Sequence, residues 1–288
     1  MKGDKNRQAV FGDASHEAIV WTETPSSDLF QSNWRIFSSQ GVGQETALIA
    51  QSKEIWDVDE LQLTSGEPVP VLKDDVVHWA STSEGDGSPW GSDVVSKKID
   101  GTGKLDVLSP LAVSPAKLDN EIAVLNLTHL DDADEDADLR LPGVPTGITL
   151  HQDDRTSEKL MGKSDTSQSD NTFGPLMRSG RTLLTEYGSD MLVINTVERS
   201  VHSISTPAGS RPVGQKMCRD FATWTYETDG GEIAGEQYFF DLGSGNLTKI
   251  PNDKLFGETE CNGEYFSWSL MDKSTEGAIA YDEVLKLK

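Results

Sequence analysis

The fold is decided by Phe221-Ala222-Thr223-Trp224, followed by Gln237-Tyr238-Phe239-Phe240-Asp241-Leu242 and the turn Gly243-Ser244-Gly245-Asn246. Two short apolar runs flank a polar segment, and the second run turns through two glycines into Leu247-Thr248-Lys249-Ile250. Short apolar runs bounded by Gly, Ser and Asp are typical of β-strands joined by tight turns. The stretch therefore predicts a small antiparallel sheet.

The same pattern recurs along the chain. Short, mostly apolar cores return about 40–60 residues apart, at 18–21, 76–79, 122–125, 182–185, 221–224 and 265–268. A period of about 40–50 residues built from strands is typical of a β-propeller, in which each repeat is one blade. We therefore expect an all-β protein: a six-bladed β-propeller of four-stranded antiparallel blades, forming a single domain over residues 1–288.

Two features bear on this choice of fold. Ile19-Val20-Trp21 and Phe239-Phe240 are apolar at adjacent positions, as a strand buried on both faces requires, which favours a propeller over a sandwich. The third repeat is irregular, because an acidic run at 131–138 separates its predicted second and third strands. Five blades with a large insertion is therefore an open alternative.

Charge excludes one class of partner. The net charge is −23 and the isoelectric point is near 4.4, so no basic surface remains to neutralise nucleic-acid phosphates. The charge fits either simple solubility or attraction of basic and cationic ligands. The sequence contains no apolar run of the length that spans a membrane.

The two cysteines, Cys218 and Cys261, each precede an aromatic core by a few residues. They therefore occupy similar places in successive repeats, and a disulfide between them is geometrically feasible. A disulfide would indicate an oxidising compartment, whereas two buried free thiols are the alternative. The N-terminal Met1–Gln8 is hydrophilic, and taken literally this indicates a cytoplasmic chain.

The stretch from Phe221 through Gly245 resembles the TolB-like six-bladed propellers: an aromatic ends strand two, and a later strand ends in Asp-Leu before a Gly-containing turn. Residues 77–104 carry a weaker copy of this motif. The resemblance implies a binding platform in the bacterial envelope, on a fold that in some proteins carries an enzyme. No catalytic residues come with it.

The densest charge cluster is the acidic run itself. Hard carboxylate oxygens at Asp132, Asp134 and Asp136 stand at alternating positions, as in a calcium site. The run lacks the central Gly and the distal Glu of an EF-hand loop, and like-charge runs usually form solvated loops. We expect no cofactor, with Ca²⁺ at these three residues as the alternative.

The sequence therefore predicts a non-catalytic binding or scaffolding propeller in a bacterial envelope or secreted protein, with a protein or glycan ligand. The expected ligand loops are 82–90, 131–138 and 228–235. Within them the candidate contacts are Trp90, Asp131, Asp132, Asp134, Asp136 and Asp229. A glycosidase or polysaccharide lyase is the alternative, and it requires converging acids with shifted pKa values.

Overall fold

The computed structural model describes residues 6–25, 33–41, 44–52, 68–83, 91–128, 144–152, 156–162, 172–228, 230–231, 236–251, 260–261, 265–272 and 279–286. All its named elements are β-strands, as the sequence predicts. They form two compact units, Met1–Thr166 and Ser167–Lys288.

Twelve strands make three antiparallel sheets in the first unit. The first sheet has strands β1 (Arg7–Ala14), β2 (Ile19–Pro25), β3 (Arg35–Ser39) and β4 (Thr46–Gln51). The second sheet has β5 (Val71–Lys73), β6 (Val76–Ser83), β7 (Gly91–Lys98) and β8 (Asp106–Ser109). The third sheet has β9 (Ala112–Lys117), β10 (Glu121–Thr128), β11 (Val144–Gln152) and β12 (Ser157–Gly162).

The second unit also contains three sheets. The fourth sheet has β13 (Met177–Ser179), β14 (Thr182–Tyr187), β15 (Asp190–Asn195) and β16 (Ser200–Ile204). The fifth sheet has β17 (Ser210–Met217), β18 (Phe221–Thr228), β19 (Glu236–Asp241) and β20 (Leu247–Pro251). The sixth sheet has β21 (Glu260–Cys261), β22 (Tyr265–Asp272) and β23 (Ile279–Lys286).

The expectation of six four-stranded blades needs correction. Five sheets have four strands, and the sixth has three in the described part of the chain. The irregular third repeat does form a complete four-stranded sheet. In it β10 pairs with β11, the strands that precede and follow the connection at 129–143. Strand order follows chain order in every sheet, so each is a simple meander.

Consecutive first strands lie beside one another within each unit. In the first unit β5 contacts both β1 and β9, and in the second unit β17 contacts both β13 and β21. This is how the innermost strands of successive propeller blades follow one another. The repeat of the sequence is therefore also a repeat of the packing within each unit.

Aromatic and aliphatic side chains fill the layers between neighbouring sheets. Trp79 is fully buried between the first and second sheets, and Trp224 is fully buried between the fourth and fifth. Trp21 is only partly buried and stacks on Phe37 at a ring distance of 5.9 Å. Trp79 and Trp224 are therefore inter-sheet packing residues, while the Trp268 side chain lies outside the described part.

Polar contacts also tie neighbouring sheets together. Leu72 N, in the second sheet, donates to the Asp13 carboxylate of the first at 2.9 Å. Leu111 N donates to Asp93 Oδ1 at 3.0 Å where the chain passes from the second sheet to the third. In the second unit a disulfide joins Cys218, after β17, to Cys261 in β21, with a Cα–Cα distance of 5.8 Å.

Candidate ligand-binding end

The predicted ligand loops leave their sheets at corresponding ends. Residues 84–90 connect β6 to β7, 129–143 connect β10 to β11, and 229–235 connect β18 to β19. Each joins strand two to strand three of its own sheet. In a meander this is also the end at which strand one begins, and we call it the strand-two end.

Two described turns at the opposite end are short, and the sequence predicts the one that follows Asp241. Thr102 donates from its hydroxyl and its backbone N to Asp100 Oδ1, at 2.6 and 2.8 Å, and these bonds lower the Asp100 pKa. Ser244 N and Gly243 N donate to Asp241 Oδ1, and these bonds lower the Asp241 pKa. Short Asx-stabilised turns of this kind hold a hairpin closed.

None of the six candidate contacts can be placed. Trp90, Asp131, Asp132, Asp134, Asp136 and Asp229 all lie outside the described residues, as do the three proposed calcium ligands among them. Where the chain is described, no group of three or more His, Cys, Asp or Glu side chains is arranged to hold a metal ion. The same described part has no helix long and apolar enough to cross a membrane.

Sequence reasoning missed a polar group at the strand-two end of the fourth and fifth sheets. It starts from a bulge in β17, where Val213 pairs with Thr225 and Lys216 pairs with Thr223. Two residues, Gly214 and Gln215, therefore lie opposite the single residue Trp224. Gly214 adopts a φ of 63°, which glycine tolerates at little cost. Bulges of this kind redirect a side chain out of the regular alternation.

Gln215 uses this redirection to reach the preceding sheet. Its Nε2 donates to Glu186 Oε1, at the end of β14, and to the Pro212 carbonyl at 3.1 Å. Burial raises the pKa of Glu186, while Arg211 and the Gln215 bond act to lower it. Glu186 is half-buried between the fourth and fifth sheets, and the amide of Gln215 holds its carboxyl group in position.

A cross-strand ion pair completes the group. Arg211 in β17 and Glu227 in β18 are register partners, and Arg211 Nε donates to Glu227 Oε2 at 2.7 Å. The Arg211 side chain is 74% exposed and that of Glu227 21%, so solvent screens the attraction from one side. The polar group of Glu186, Gln215, Arg211 and Glu227 thus lies at the base of the predicted ligand loop 228–235.

The sequence carried one weak signal for this group. Gly214 interrupts an otherwise strand-like run, Arg211-Pro212-Val213-Gly214-Gln215-Lys216, and an isolated Gly inside a strand often marks a bulge. The partner Glu186 could not have been inferred, because it lies in the preceding repeat and its side chain follows an unremarkable alternation.

One histidine has an unusual environment in the first unit. His151 in β11 is partly buried, and its Nε2 has no hydrogen-bond partner among the described residues. Burial lowers the His151 pKa, because the charged imidazolium loses solvation there. In the described part of the chain it belongs to no group of three or more His, Cys, Asp or Glu side chains that could hold a metal ion.

Known proteins resemble this chain in fold. No family model matches the chain, and no curated protein matches it by sequence. Solved structures match over nearly its whole length, and these neighbours are propeller proteins. The resemblance to TolB-like propellers is therefore confirmed at the level of fold only: this is an all-β chain of antiparallel sheets whose structural neighbours are propellers.

Three of these structures illustrate the match. A prolyl endopeptidase aligns with a TM-score of 0.64 at 15% identity, over 98% of this chain and 42% of that one. Apo AztD from Citrobacter koseri aligns with a TM-score of 0.54 at 14% identity, over 97% of this chain and 72% of that one. Oligogalacturonate lyase from Vibrio parahaemolyticus aligns with a TM-score of 0.52 at 10% identity, over 96% of this chain and 77% of that one. At these identities the likeness concerns the fold alone.

Proposed function

We propose that this chain is a non-catalytic binding propeller, a single domain over residues 1–288, whose ligand surface is the strand-two end of its sheets. The main support for this binding surface is the paired polar group at that end. Gln215 holds Glu186, and Arg211 holds Glu227. Side chains held by one another form a rigid polar base for surface loops, whereas an acid catalyst must present its carboxyl to a substrate.

The proposed setting is a bacterial envelope or secreted protein. The disulfide between Cys218 and Cys261 supports it, because disulfides persist in oxidising compartments and are rare in the cytosol. Cys218 is 1% exposed, so its sulfur is protected from solvent reductants. Trapping thiols in intact cells, followed by mass spectrometry, tests the setting. A native pool with both cysteines alkylated would contradict it.

The proposed ligand is a basic segment of another protein. A net charge of −23 steers positively charged partners toward the chain, and the predicted contacts at the strand-two end include five aspartates. We propose that Trp90, Asp131, Asp132, Asp134 and Asp136 are its contacts on the first unit, and that Asp229 is the candidate contact on the second unit. A glycan ligand is the other outcome that a binding experiment can return.

The experiment compares charge removal at the two ends of the sheets. The test variant carries Asp131→Asn, Asp132→Asn, Asp134→Asn and Asp136→Asn. The matched control removes the same charge from exposed residues at the opposite ends, through Asp75→Asn, Asp106→Asn, Asp119→Asn and Asp220→Asn.

Both variants are titrated with a lysine-rich peptide and an acidic peptide of equal length. We expect the test variant to lose about tenfold or more in affinity for the basic peptide, and the control to lose less than about threefold. Equal losses would mean that only net charge matters and would contradict a localised surface. Retention on a glycan array with no peptide binding would replace the protein ligand by a glycan.

A polysaccharide-cleaving enzyme is the second candidate, and Glu186 is the observation that favours it. Its pKa is raised by burial, as a general acid requires, and Glu227 and Arg211 lie in the same polar group. Release of new sugar ends from a panel of polysaccharides tests it, with Glu186→Gln as the control. Cleavage that disappears in Glu186→Gln would establish the enzyme, and a panel without cleavage favours binding.

A further inference from the structure

Two buried indole groups find no partner in the described part of the chain. They are Nε1 of Trp79 in β6 and Nε1 of Trp224 in β18, both in residues that are 0% exposed. These tryptophans hold the same position in their repeats, on strand two of the second and fifth sheets. A buried donor without a partner loses its hydration and gains nothing in return.

Each tryptophan is followed two residues later by a buried hydroxyl with no partner among the described residues. Ser81 follows Trp79, and Tyr226 follows Trp224. Ser81 is 5% exposed and Tyr226 is 1% exposed. Alternate residues of a strand point to one face, so each hydroxyl shares the face of its tryptophan. The pattern thus occurs twice, once in each unit.

That face meets the preceding sheet in both units. Trp79 packs with Val20 and Ile36 of the first sheet. Trp224 and Tyr226 pack with Leu184 and Val193 of the fourth. The unpartnered atoms therefore lie in the layers between sheets rather than on the outer surface.

A polar side chain of the preceding sheet enters each layer. In the first unit Thr24 lies on the same face of β2 as Val20. It is 0% exposed, and its Oγ1 has no partner among the described residues. In the second unit Glu186 lies on the same face of β14 as Leu184 and is half-buried. Gln215, which donates to Glu186, also bonds the carbonyl of Pro212, the register partner of Tyr226.

The aromatic frame of the second layer holds these groups in place. Tyr238 stacks on Trp224 at a ring distance of 6.1 Å and meets Tyr226 edge to face at 4.7 Å. Neither ring can turn away without losing these contacts. The third sheet provides an internal comparison, since it has Val124 and Asn126 at the corresponding places, and Asn126 accepts the Thr149 hydroxyl at 2.5 Å.

We propose that the side chains of each layer form a binding site for one internal water molecule. The water accepts the indole hydrogen, bonds the hydroxyl two residues on, and donates to the side chain from the preceding sheet. That side chain is Thr24 in the first unit and Glu186 in the second. Buried waters commonly make about three such bonds to groups that would otherwise be unsatisfied.

Magnetisation transfer from water to the indole hydrogens of the full chain tests the proposal directly. We expect long-lived water contacts at Trp79 and Trp224. Trp21 is the control, because its Nε1 already donates to Glu23 at 3.1 Å. Absence of a long-lived water at either indole overturns the site in that sheet, whatever the stability of any variant.

Two hydroxyl deletions provide an independent test. If water bonds these hydroxyls, Ser81→Ala and Tyr226→Phe each raise the unfolding equilibrium constant about tenfold. Tyr187→Phe, at a half-buried position outside both layers, serves as the control and changes it less than about twofold. A hydroxyl that is simply unpaired behaves differently, since its removal leaves stability unchanged or higher. That result for either residue overturns the site.

Discussion

The first strands of the third and fifth sheets, β9 and β17, share one backbone design and use it differently. Both have a bulge at the same place: Val113 and Ala116 pair with Leu125 and Ala123, as Val213 and Lys216 pair with Thr225 and Thr223. Both adopt a left-handed residue there, Ser114 at φ 52° and Gly214 at φ 63°.

The side chains in the two bulges have opposite characters. In β9 the residue after the left-handed position is Pro115, which is buried and has no N–H to donate. In β17 it is Gln215, which is partly exposed and bonds Glu186 of the preceding sheet. Beyond the bulge, Leu118 packs as a buried apolar residue where Cys218 forms the disulfide.

The difference shows where a repeat protein places its specific chemistry. The backbone frame, including its irregularity, repeats with the fold, whereas polar and covalent links are added at single positions within that frame. A repeated bulge alone therefore does not mark a site. A bulge whose redirected residue is polar and bonded to the neighbouring sheet does.

The largest effect is expected where Leu118 and Cys218 differ. Replacing both Cys218 and Cys261 by Ser opens a cross-link between residues 43 positions apart, and we expect about 4 kcal/mol less stability in urea denaturation. Leu118→Ala removes a buried apolar side chain instead and should cost about 3 kcal/mol.

Reductant separates these two causes. It should bring the wild-type protein to the stability of the double serine variant and leave that variant unchanged. Leu118→Ala should lose a further 4 kcal/mol or so on reduction. A disulfide contribution below about 1 kcal/mol would show that the cross-link does not constrain the unfolded chain.

The left-handed positions should respond in opposite directions. A Cβ at Gly214 would meet no atom within 4 Å. Gly214→Ala should therefore lose about 1 kcal/mol of folding stability, through the positive φ alone. Ser114→Gly relieves the same strain and should gain less than that, because glycine also gives the unfolded chain more freedom. Thermal unfolding measures both changes. An unaffected Gly214→Ala would mean that the β17 bulge does not hold the left-handed conformation.

Glu186 should make the second unit less stable as pH rises. Its pKa is raised in the folded state, so its stabilising contribution is complete below the ordinary value of 4.5 and is lost as pH rises through the folded value. Glu186→Gln keeps an acceptor for Gln215 without the charge. We expect the variant to melt about 1–3 °C above wild type at pH 7, with solvent screening limiting the gain. The gain should shrink toward pH 4, and a constant difference across that range would contradict the burial of this carboxyl.

His151 should give the opposite dependence in the first unit, with a smaller effect. Its pKa is lowered in the folded state, so its contribution is present above the ordinary value of 6.5 and is lost as pH falls through the folded value. Relative to His151→Gln, wild type should lose about 1–2 °C in melting temperature on acidification below pH 6.5. His16, which is exposed, serves as the control through His16→Gln. An equal acid response in both variants would remove the special role of His151.

Sequence periodicity predicted the meander sheets well, because burial on both faces leaves adjacent apolar residues such as Phe239 and Phe240. The hairpin after Asp241 followed from local turn chemistry, because its turn contains two glycines. The number of complete sheets did not follow, since the repeat at 265–268 looks like the others and yet its sheet has three strands among the residues that the structure describes.

The polar group at the strand-two end could not be predicted for a physical reason. Glu186 and Gln215 are 29 positions apart and meet only because two sheets pack face to face. A single sequence contains no signal for such a contact when each residue fits its own strand. The unpartnered indoles of Trp79 and Trp224 were hidden in the same way, since both appear in the sequence simply as large packing residues.

The tight turn at Asp100 has a practical consequence for handling the protein. Gly101 lies so close to the Leu48 carbonyl that an added Cβ would stand 2.4 Å away, which leaves no space for substitution there. Gly103, in the same turn, is open to solvent with nothing within 4 Å of such an atom. A cysteine at position 103 would thus accept a dye or a surface tether, at the cost of some backbone strain. The protein would be held by the end of the second sheet opposite to residues 84–90, leaving the proposed ligand surface of that sheet accessible to a titrated partner.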